Sequence, residues 1–256
     1  MKNILITGSN GYIAKSLYTE LKYIYNIDTV NRSNINLLDF DQCKKYFSNK
    51  FYDVVIHAAI TGGSRLITDD HHTLDKNLRM YYNLTSFSNS FKKFITFGSG
   101  AEVHSKNTPY GLSKYVIAES MKDKENFYNL RVYAAFDENE LDTRFIKSCI
   151  LKCKKNQSIE IYKDKQMDFF YMKDLIAIVK KYIEEDNLIK TLDCCYNEKF
   201  LLSDIAKYIN FLFKNKKPLC MHEDGIATPY VGKFFDYGIP YVGLHGGIIN
   251  TINCLK

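Results

Sequence analysis

The stretch KNILITGSNGYIAKSLYTELKYIY, residues 2–25, decides the fold. Residues 2–8 form a short apolar run that predicts a buried β-strand, and residues 11–25 carry apolar side chains at helical spacing. Gly8 and Gly11 lie between the two elements, with Ala14 in the place of a third small residue. The first glycine permits a tight turn, and the second lets a pyrophosphate approach the backbone at the start of the helix. The stretch therefore predicts a strand, a phosphate-binding turn and a helix.

The same alternation of strand and helix continues to residue 136. Apolar runs predict strands at residues 27–31, 53–59, 93–99 and 127–136. Helical spacing predicts helices at residues 39–50, 73–92 and 110–124. Continuous apolar strands that alternate with helices imply a parallel sheet covered on both faces. We therefore predict an α/β protein with a Rossmann-type doubly wound sheet.

After residue 137 the alternation is less regular. Helices are predicted at residues 142–155, 173–185 and 203–214, and short strands at residues 158–162 and 192–197. Three of the four prolines and six of the 13 glycines follow residue 217, which indicates a loop-rich region. We predict a dinucleotide-binding Rossmann domain over residues 1–157 and a smaller substrate-binding lobe over residues 158–256, interleaved with the first.

Composition excludes several classes of protein. No apolar run reaches the roughly 18 residues of a membrane span, and the apolar N-terminal run leads directly into a glycine turn, unlike a signal peptide. The seven cysteines are odd in number and lack zinc-site spacing, so we expect reduced thiols, a cytoplasmic protein and no metal. The net charge of +6 comes from scattered lysines without a nucleic-acid-binding module, and suits a small anionic substrate.

The end of the second predicted strand indicates which cofactor the turn binds. An acidic residue there would hold the ribose 2′-hydroxyl of NAD, whereas a basic residue would accept the 2′-phosphate of NADP. The sequence VNRSNINLLD (30–39) has Arg32 between Asn31 and Ser33, and its first carboxylate is Asp39. A guanidinium can bind a phosphate with two hydrogen bonds. The sequence therefore favours NADPH, with NAD as the alternative.

A tyrosine and a lysine lie four residues apart in TPYGLSKYVIAES (108–120), so Tyr110 and Lys114 share one face of the predicted helix. Two other pairs have this spacing, Tyr18 with Lys22 and Tyr46 with Lys50. Only Tyr110 and Lys114 follow directly after the fourth main strand. Lowering a phenol pKa of about 10 by ~3 units takes roughly 4 kcal/mol, which a nearby ammonium can help to supply. This placement predicts that Tyr110 and Lys114 are catalytic.

Further motifs occur in the same order as in a known family. The segments HAA (57–59) and FGSGAEVH (97–104) lie between the glycine turn and Tyr110. MDFFYMKDL (167–175) and LHGGIINT (244–251) follow it. With these motifs the chain resembles the extended short-chain dehydrogenase/reductase family, whose members act largely on nucleotide sugars. Its NRSNINLLD segment is most similar to the NADPH-dependent branch that contains GDP-fucose synthase.

The resemblance implies roles for individual residues. In the family the tyrosine, here Tyr110, is the proton donor or acceptor at the substrate oxygen, and the lysine, here Lys114, binds the nicotinamide ribose. The family's catalytic hydroxyl falls on Gly100, so the adjacent Ser99 is our candidate and Ser105 a poorer one. By the same resemblance Arg32 binds the 2′-phosphate and Asp39 lies near the adenine. The full set of predicted cofactor residues is Gly8, Asn10, Gly11, Tyr12, Ile13, Arg32, Asp39, Ala58, Ala59, Asn77 and Lys114.

Departures from the family pattern narrow the reaction. Sugar dehydratases of the family carry an acidic pair where this chain has Ala101 and Glu102, so the acid is missing and water elimination is not expected. The cysteine that GDP-fucose synthase uses for epimerisation is also missing from this segment. Glu102 is either a base next to a ketone or a solvated or salt-bridged residue. The predicted substrate-binding residues are Ser99, Gly100, Glu102, Arg144 and Lys173.

The sequence thus predicts an NADPH-dependent reductase of a 4-keto, often 6-deoxy, nucleotide sugar in polysaccharide biosynthesis. Two alternatives stay open: a nucleotide-sugar 4-epimerase that retains NAD, and a non-catalytic NADP-sensing protein of the same fold. The expected partners are a nucleotide-diphosphate sugar and a second copy of the chain, which family members bind through the helices that hold Asn77 and Tyr110. No nucleic acid or membrane partner is expected.

Overall fold

The computed structural model describes residues 1–64 and 66–255 of the chain. The chain forms two compact units that interleave along the sequence. Unit 1 contains Met1–Arg131 and Ile178–Leu192, and unit 2 contains Val132–Ala177 and Asp193–Lys256. The domain boundary predicted from the sequence, between residues 157 and 158, falls inside unit 2. Apolar residues on both sides of this position, such as Ile150 and Ile161, belong to one hydrophobic core.

The central sheet is built from six strands of the described residues, in the order β2-β1-β3-β4-β5-β9. The strands are β1 (Asn3–Thr7), β2 (Asn26–Val30), β3 (Tyr52–His57), β4 (Phe91–Ser99), β5 (Phe127–Val132) and β9 (Thr191–Cys194). β1 pairs in parallel with β2 and β3, and β3 pairs in parallel with β4. The chain therefore reverses its winding direction between β1 and β3, where doubly wound folds bind their ligands. The predicted fold class is confirmed.

Polar side chains cap several of the main helices of unit 1. These helices are α1 (Tyr12–Leu21), α2 (Phe40–Phe47), α3 (His71–Thr85), α4 (Ala101–His104) and α5 (Pro109–Ser120). The carboxylate of Asp70 accepts a hydrogen bond from the Thr73 N–H at 3.1 Å, and Thr108 caps α5 through the Gly111 N–H at 3.1 Å. Such caps contribute roughly 1 kcal/mol each. Because α5 begins at Pro109, Tyr110 lies in its first turn.

Unit 2 contains smaller sheets, several helices and the start of a further helix that continues into unit 1. Its elements are β6 (Ala135–Phe136), α6 (Phe145–Lys154), β7 (Glu160–Asp164), β8 (Phe170–Tyr171), the start of α7 (Met172–Glu184), α8 (Leu202–Phe213), β10 (Cys220–Ile226) and α9 (Gly243–Cys254). β7 pairs in parallel with β10, and β6 with β8. Across the described residues, no helix combines the length and the apolar character that crossing a membrane requires.

Candidate active site

The glycine turn after β1 closes tightly against the end of β3. Gly8 has φ of +69°, and a Cβ atom there would lie 2.6 Å from the backbone N and Cα of Ala59. The Gly11 N–H donates to the Gly8 carbonyl at 2.8 Å, and α1 begins at the next residue. Only glycine satisfies both the left-handed conformation and the close contact at position 8. The turn is therefore shaped as a phosphate-binding turn requires.

A cavity of about 300 Å³ lies beside this turn, where dinucleotides bind in doubly wound folds. Its walls come from the turn itself, the segment after β2, the end of β3 and α3. The cavity brings together six of the predicted cofactor residues: Gly8, Asn10, Gly11, Arg32, Ala58 and Ala59. It also has an apolar surface formed by Ile35, Leu37 and Met80. This combination of turn and apolar wall suits an adenosine with its phosphates.

The charged lining of the cavity is cationic. Arg32 and Lys76 line it, and none of its described lining residues is a carboxylate. Lys76, on α3, was not a candidate from the sequence, because its side chain meets the cavity only through the packing of α3 beside β3. In the described residues, the Thr61 hydroxyl is a buried oxygen without a hydrogen-bond partner, and Thr61 also lines the cavity. A nicotinamide dinucleotide phosphate fits these residues.

Asp39 lies at the edge of this region as a helix cap. Its carboxylate accepts hydrogen bonds from the N–H and the side-chain amide of Gln42, each at 3.0 Å. The neighbouring Leu37 and Leu38 line the cavity, and the Asp39 carboxylate holds the start of α2. A role of Asp39 near the adenine stays a prediction.

Asn77 on α3 connects three segments around the site. Its amide oxygen accepts from the Thr61 N–H at 2.8 Å, and its amide nitrogen donates to the Thr61 carbonyl at 2.9 Å. The same nitrogen donates to the hydroxyl of Ser113 on α5 at 3.0 Å. Asn77 therefore holds the segment after β3 and helix α5 at fixed positions, whatever contact it makes with a cofactor.

Tyr110 and Lys114 lie on adjacent turns of α5 beside the end of β4. The Lys114 side chain is buried, its ammonium donates to the carbonyl of Phe97, and it lies 5.8 Å from the centre of the Tyr110 ring. Burial lowers the pKa of Lys114 to about 8, while the Glu102 carboxylate acts in the opposite direction. A partly buried phenol thus lies next to a cation in a region of reduced solvent, the setting in which proton-transfer groups are tuned.

Ser99 ends β4 and is buried, and its hydroxyl accepts a hydrogen bond from the Ala101 N–H at 3.2 Å. Gly100 follows as the cap of α4. Ser105 lies beyond α4, where its carbonyl accepts from the Thr108 hydroxyl at 2.8 Å. Ser99 thus follows the strand that also supplies Phe97 to Lys114, and its catalytic role stays a prediction.

Glu102 lies in a buried ion pair. Only 2% of its surface is exposed, and its carboxylate accepts from the Arg131 guanidinium and from the side chain of Asn129, the latter at 2.9 Å. Burial raises the pKa of Glu102, and Arg131 opposes that change. A Cβ on Gly98 would lie 2.7 Å from the Glu102 carboxylate, so glycine there leaves room for the pair. The Glu102 carboxylate is thus salt-bridged, and its role as a base next to a ketone stays untested.

His57, at the end of β3, is held as a neutral imidazole. Its Nδ1 lies 2.9 Å from the hydroxyl of Thr7 on the neighbouring β1. Burial, and to a lesser extent the charge of Lys114, lowers the pKa of His57 to about 3. The ring is therefore uncharged at neutral pH, and it links the strand ends that carry the glycine turn and Ala58.

The two predicted substrate residues of unit 2 lie at helix starts. Arg144 precedes α6 as its N-cap, and Lys173 lies in the first turn of α7. Both side chains are exposed. Their proposed contact with a nucleotide diphosphate stays a prediction.

A group of metal-ligand side chains lies at the start of α3. Asp70, His71 and His72 have ligand atoms within 4.8 Å of one another, and all three residues are exposed. Asp70 already caps the helix through Thr73. The cluster is explained by the capping of a helix N-terminus, and we assign no metal to it.

Comparisons with known proteins agree with this geometry. The sequence model of the NAD-dependent epimerase/dehydratase family matches residues 4–193. No curated protein sequence matches the chain. Among solved structures, UDP-glucose 4-epimerase from Thermotoga maritima has a TM-score of 0.80 at 17% identity, covering 99% of this chain and 98% of its own.

Two further solved structures have similar folds. dTDP-4-dehydrorhamnose reductase from Bacillus anthracis, solved with NADP, has a TM-score of 0.80 at 16% identity, covering 100% of this chain and 98% of its own. GDP-L-fucose synthetase from Naegleria fowleri has a TM-score of 0.75 at 15% identity, covering 98% of this chain and 92% of its own. At these identities the likeness shows a shared fold.

Proposed function

The chain belongs to the NAD-dependent epimerase/dehydratase family, and we propose that it uses NADPH to reduce the 4-keto group of a nucleotide-diphosphate sugar. The cavity beside the glycine turn carries this proposal. Arg32 and Lys76 supply two cations to its lining, and no described lining residue supplies a carboxylate to hold a free 2′-hydroxyl. An enzyme that binds NADPH from solution and releases NADP suits net reduction better than a cycle with retained NAD.

The chain's own groups account for the remaining steps. When bound, NADPH supplies a hydride to the carbonyl carbon of the sugar. The Tyr110 hydroxyl gives its proton to the carbonyl oxygen as the electron pair of the C=O bond moves onto it, which leaves a secondary alcohol. Lys114 lies beside the phenol, where it would stabilise the anionic form and would hold the ribose of the bound cofactor. The hydroxyl of Ser99 donates a hydrogen bond to the same substrate oxygen.

The position of Glu102 favours reduction without further chemistry. Removing a proton next to a ketone needs a carboxylate that reaches the substrate, whereas the Glu102 carboxylate is occupied by Arg131 and Asn129. Using it as a base would break its charge-assisted hydrogen bond with Arg131, and losing such a bond typically costs roughly 1.5–3 kcal/mol. We therefore propose hydride and proton transfer at C4 alone.

The solved relatives support a nucleotide-sugar substrate, because two are described as acting on UDP-glucose and dTDP-4-dehydrorhamnose. We also propose a homodimer formed through α3 and α5, on which Tyr82 and Leu112 expose apolar surface. The place in polysaccharide biosynthesis and the cytoplasmic location stay predictions. Sedimentation analysis of the purified chain tests the dimer.

A substrate panel tests the reaction. The purified chain is mixed with NADPH and with 4-keto hexoses linked to GDP, dTDP or UDP, and cofactor oxidation is followed by absorbance. We expect oxidation with one of these sugars and formation of a C4 alcohol. Copurified NAD with inversion at C4 would identify the epimerase instead, and NADP binding without turnover on any member would identify the sensor.

The cofactor assignment has its own test. Arg32→Ala removes a charge-assisted hydrogen bond to the 2′-phosphate, worth roughly 1.5–3 kcal/mol, so the Kd for NADPH should rise about ten- to a hundredfold. The Kd for NADH should stay nearly constant, because NADH lacks that phosphate. Lys76→Met should show the same selectivity with a smaller effect. Equal weakening of NADPH and NADH by Arg32→Ala would contradict the assignment.

A further inference from the structure

A turn of two glycines lies against the hydroxyl end of Tyr110. Gly62 and Gly63, in the segment after β3, have φ of +86° and +73°, so both are left-handed. A Cβ built on Gly63 would lie 2.8 Å from Cζ of Tyr110, the carbon that bears the hydroxyl, and 2.9 and 3.1 Å from its two neighbours. Gly63 therefore contacts the ring closely at the end where the chemistry occurs.

The turn is held by Asp69, which lies just before α3, and by Asn77 on α3. The Gly63 N–H donates to both carboxylate oxygens of Asp69, each at 3.1 Å. A Cβ on Gly62 would lie 2.2 Å from the same carboxylate, so the first glycine lets Asp69 approach. On the other side of the turn, both backbone groups of Thr61 bind the Asn77 side chain. The two glycines are thus fixed on one side by Asp69 and on the other by Asn77, through Thr61.

The same helix also fixes the backbone that carries Tyr110. Asn77 donates to the Ser113 hydroxyl at 3.0 Å, and that hydroxyl donates to the Tyr110 carbonyl at 2.7 Å. Both parts of Tyr110 are therefore connected to Asn77 on α3. The ring is connected through the glycine turn, and the backbone is connected through Ser113. Such double attachment leaves little freedom for the phenol.

We propose that the Gly62–Gly63 turn, clamped by Asp69, is the positioning element that sets the tilt of the Tyr110 ring for proton transfer. The inference rests on the proposed function of Tyr110. Gly63 and Asp69 are positioning residues and contact no substrate in this account. Proton transfer requires the hydroxyl within hydrogen-bond reach of the substrate oxygen, and a displacement near 1 Å can cost on the order of a hundredfold in rate.

Gly63→Ala tests the contact, with Gly225→Ala as a matched control. Gly225 has a similar φ of +82° but no atom within 4 Å of its Cβ position, so both variants bear backbone strain and only one meets the phenol. For Gly63→Ala we expect kcat to fall about a hundredfold, with the Kd of NADPH changed by less than about threefold. Gly225→Ala should keep wild-type kcat. An unchanged kcat in Gly63→Ala would overturn the proposal.

A signal from the ring itself separates this inference from the proposed reaction. Tyrosines are labelled with ¹³C at Cζ, and Tyr110→Phe identifies the Tyr110 resonance by its loss. Gly63→Ala should shift that resonance and Gly225→Ala should not. If Gly63→Ala shifts the Tyr110 resonance but the wild-type protein turns over no ketosugar, the proposed reaction is wrong and the contact that orients the ring is supported. An unmoved resonance would refute the positioning role, whatever the enzyme reduces.

Asp69 gives a second route if Gly63→Ala does not fold. Asp69→Asn keeps one side-chain oxygen to accept from the Gly63 N–H, whereas Asp69→Ala keeps none. We expect Asp69→Ala to shift the Tyr110 resonance and to lower kcat, and Asp69→Asn to restore most of both. Equal behaviour of the two variants would overturn the clamp.

Discussion

Two tyrosine and lysine pairs of unit 1 have the same spacing in different surroundings. Tyr46 lies on α2 and Lys50 follows the end of that helix. In this α2 pair the ammonium of Lys50 lies 4.1 Å from the centre of the Tyr46 ring, and on α5 the ammonium of Lys114 lies 5.8 Å from that of Tyr110. The α2 pair is thus the closer one. Its lysine side chain is 41% exposed and pairs with Asp28 at 3.1 Å, whereas 7% of Lys114 is exposed and its ammonium binds a strand-end carbonyl.

The difference shows that proximity of the two side chains does not by itself place the lysine in a buried environment. An exposed ammonium is surrounded by water of high dielectric constant, so its electrostatic interaction with a neighbouring phenol is weak. A buried ammonium interacts much more strongly. Position relative to the sheet supplies the burial. α5 begins directly after β4 and α4, at the carboxyl ends of the strands where the glycine turn also lies, whereas Tyr46 lies in the last turn of α2.

Tyr110→Phe should give the largest effect and breaks the comparison most directly. It keeps the ring and the helix and removes only the proton donor, and general acid catalysis typically contributes about 10²- to 10⁴-fold. We expect kcat to fall within that range while NADPH still binds, measured by turnover and by titration. Tyr46→Phe and Tyr18→Phe should leave kcat nearly unchanged. Wild-type turnover by Tyr110→Phe, with chemistry rate-limiting, would end the catalytic interpretation.

The fold was predictable because periodicity and turn chemistry agree over the first half of the chain. The run predicted as a strand at residues 93–99 is β4 (Phe91–Ser99), and the one at residues 2–8 is β1. The helix predicted over residues 73–92 ends at Thr85, where Ser86 and the serines that follow bond the backbone locally and form a 3-10 turn.

Elements of unit 2 were missed where packing overrides local propensity. α9 carries Gly243, Gly246 and Gly247, residues that weaken a helix in isolation. A Cβ on Gly247 would lie 2.7 Å from the ring of Tyr171, so glycine is needed for contact and the helix is stabilised by its packing. β10 (Cys220–Ile226) was missed because three consecutive polar residues, at positions 222–224, interrupt its apolar pattern and the strand is mostly exposed.

The site was predictable where one local motif contains it, as with Gly8 and Gly11. Contacts between residues that are distant in sequence were not predictable. Glu102 meets Arg131 and Asn129 on β5, which is distant in sequence, and only the parallel register of the strands brings them together. Lys76 reaches the cavity through the packing of α3.

Lys114→Met is the next largest test of the comparison. Losing the ammonium removes the proposed charge-assisted hydrogen bond to the ribose and the cation beside the phenol, so NADPH affinity should fall roughly ten- to a hundredfold and kcat should fall as well. Lys50→Met should change neither. Loss of turnover with unchanged NADPH affinity in Lys114→Met would show that the lysine acts on the phenol alone.

Each lysine also has a nearby carboxylate, and these give a smaller, pH-dependent test. Burial lowers the pKa of Lys114 to about 8 and the Glu102 charge opposes this shift. We therefore expect kcat/KM to fall as pH rises through this value and the ammonium loses its proton. Glu102→Gln removes that charge, lowers the pKa of Lys114 and should move the basic limb to lower pH. Asp28→Asn, beside Lys50, should leave the limb in place. A limb that Glu102→Gln does not move would assign it to another group.

The smallest expected effect is the contribution of the α2 pair to the free energy of unfolding. Lys50 and Asp28 form an exposed ion pair, and such pairs typically contribute about 0–1 kcal/mol. Asp28 also accepts from the Tyr52 hydroxyl at 2.6 Å, and that hydrogen bond is the main reason for its lowered pKa, with Lys50 a further cause. Lys50→Met should therefore lower the free energy of unfolding in urea by less than about 1 kcal/mol, because Tyr52 still binds the carboxylate. Added salt should reduce the difference further, since exposed charges are screened. A loss of several kcal/mol would mean that the α2 pair is structurally important, and the contrast with α5 would then be one of role and not of burial.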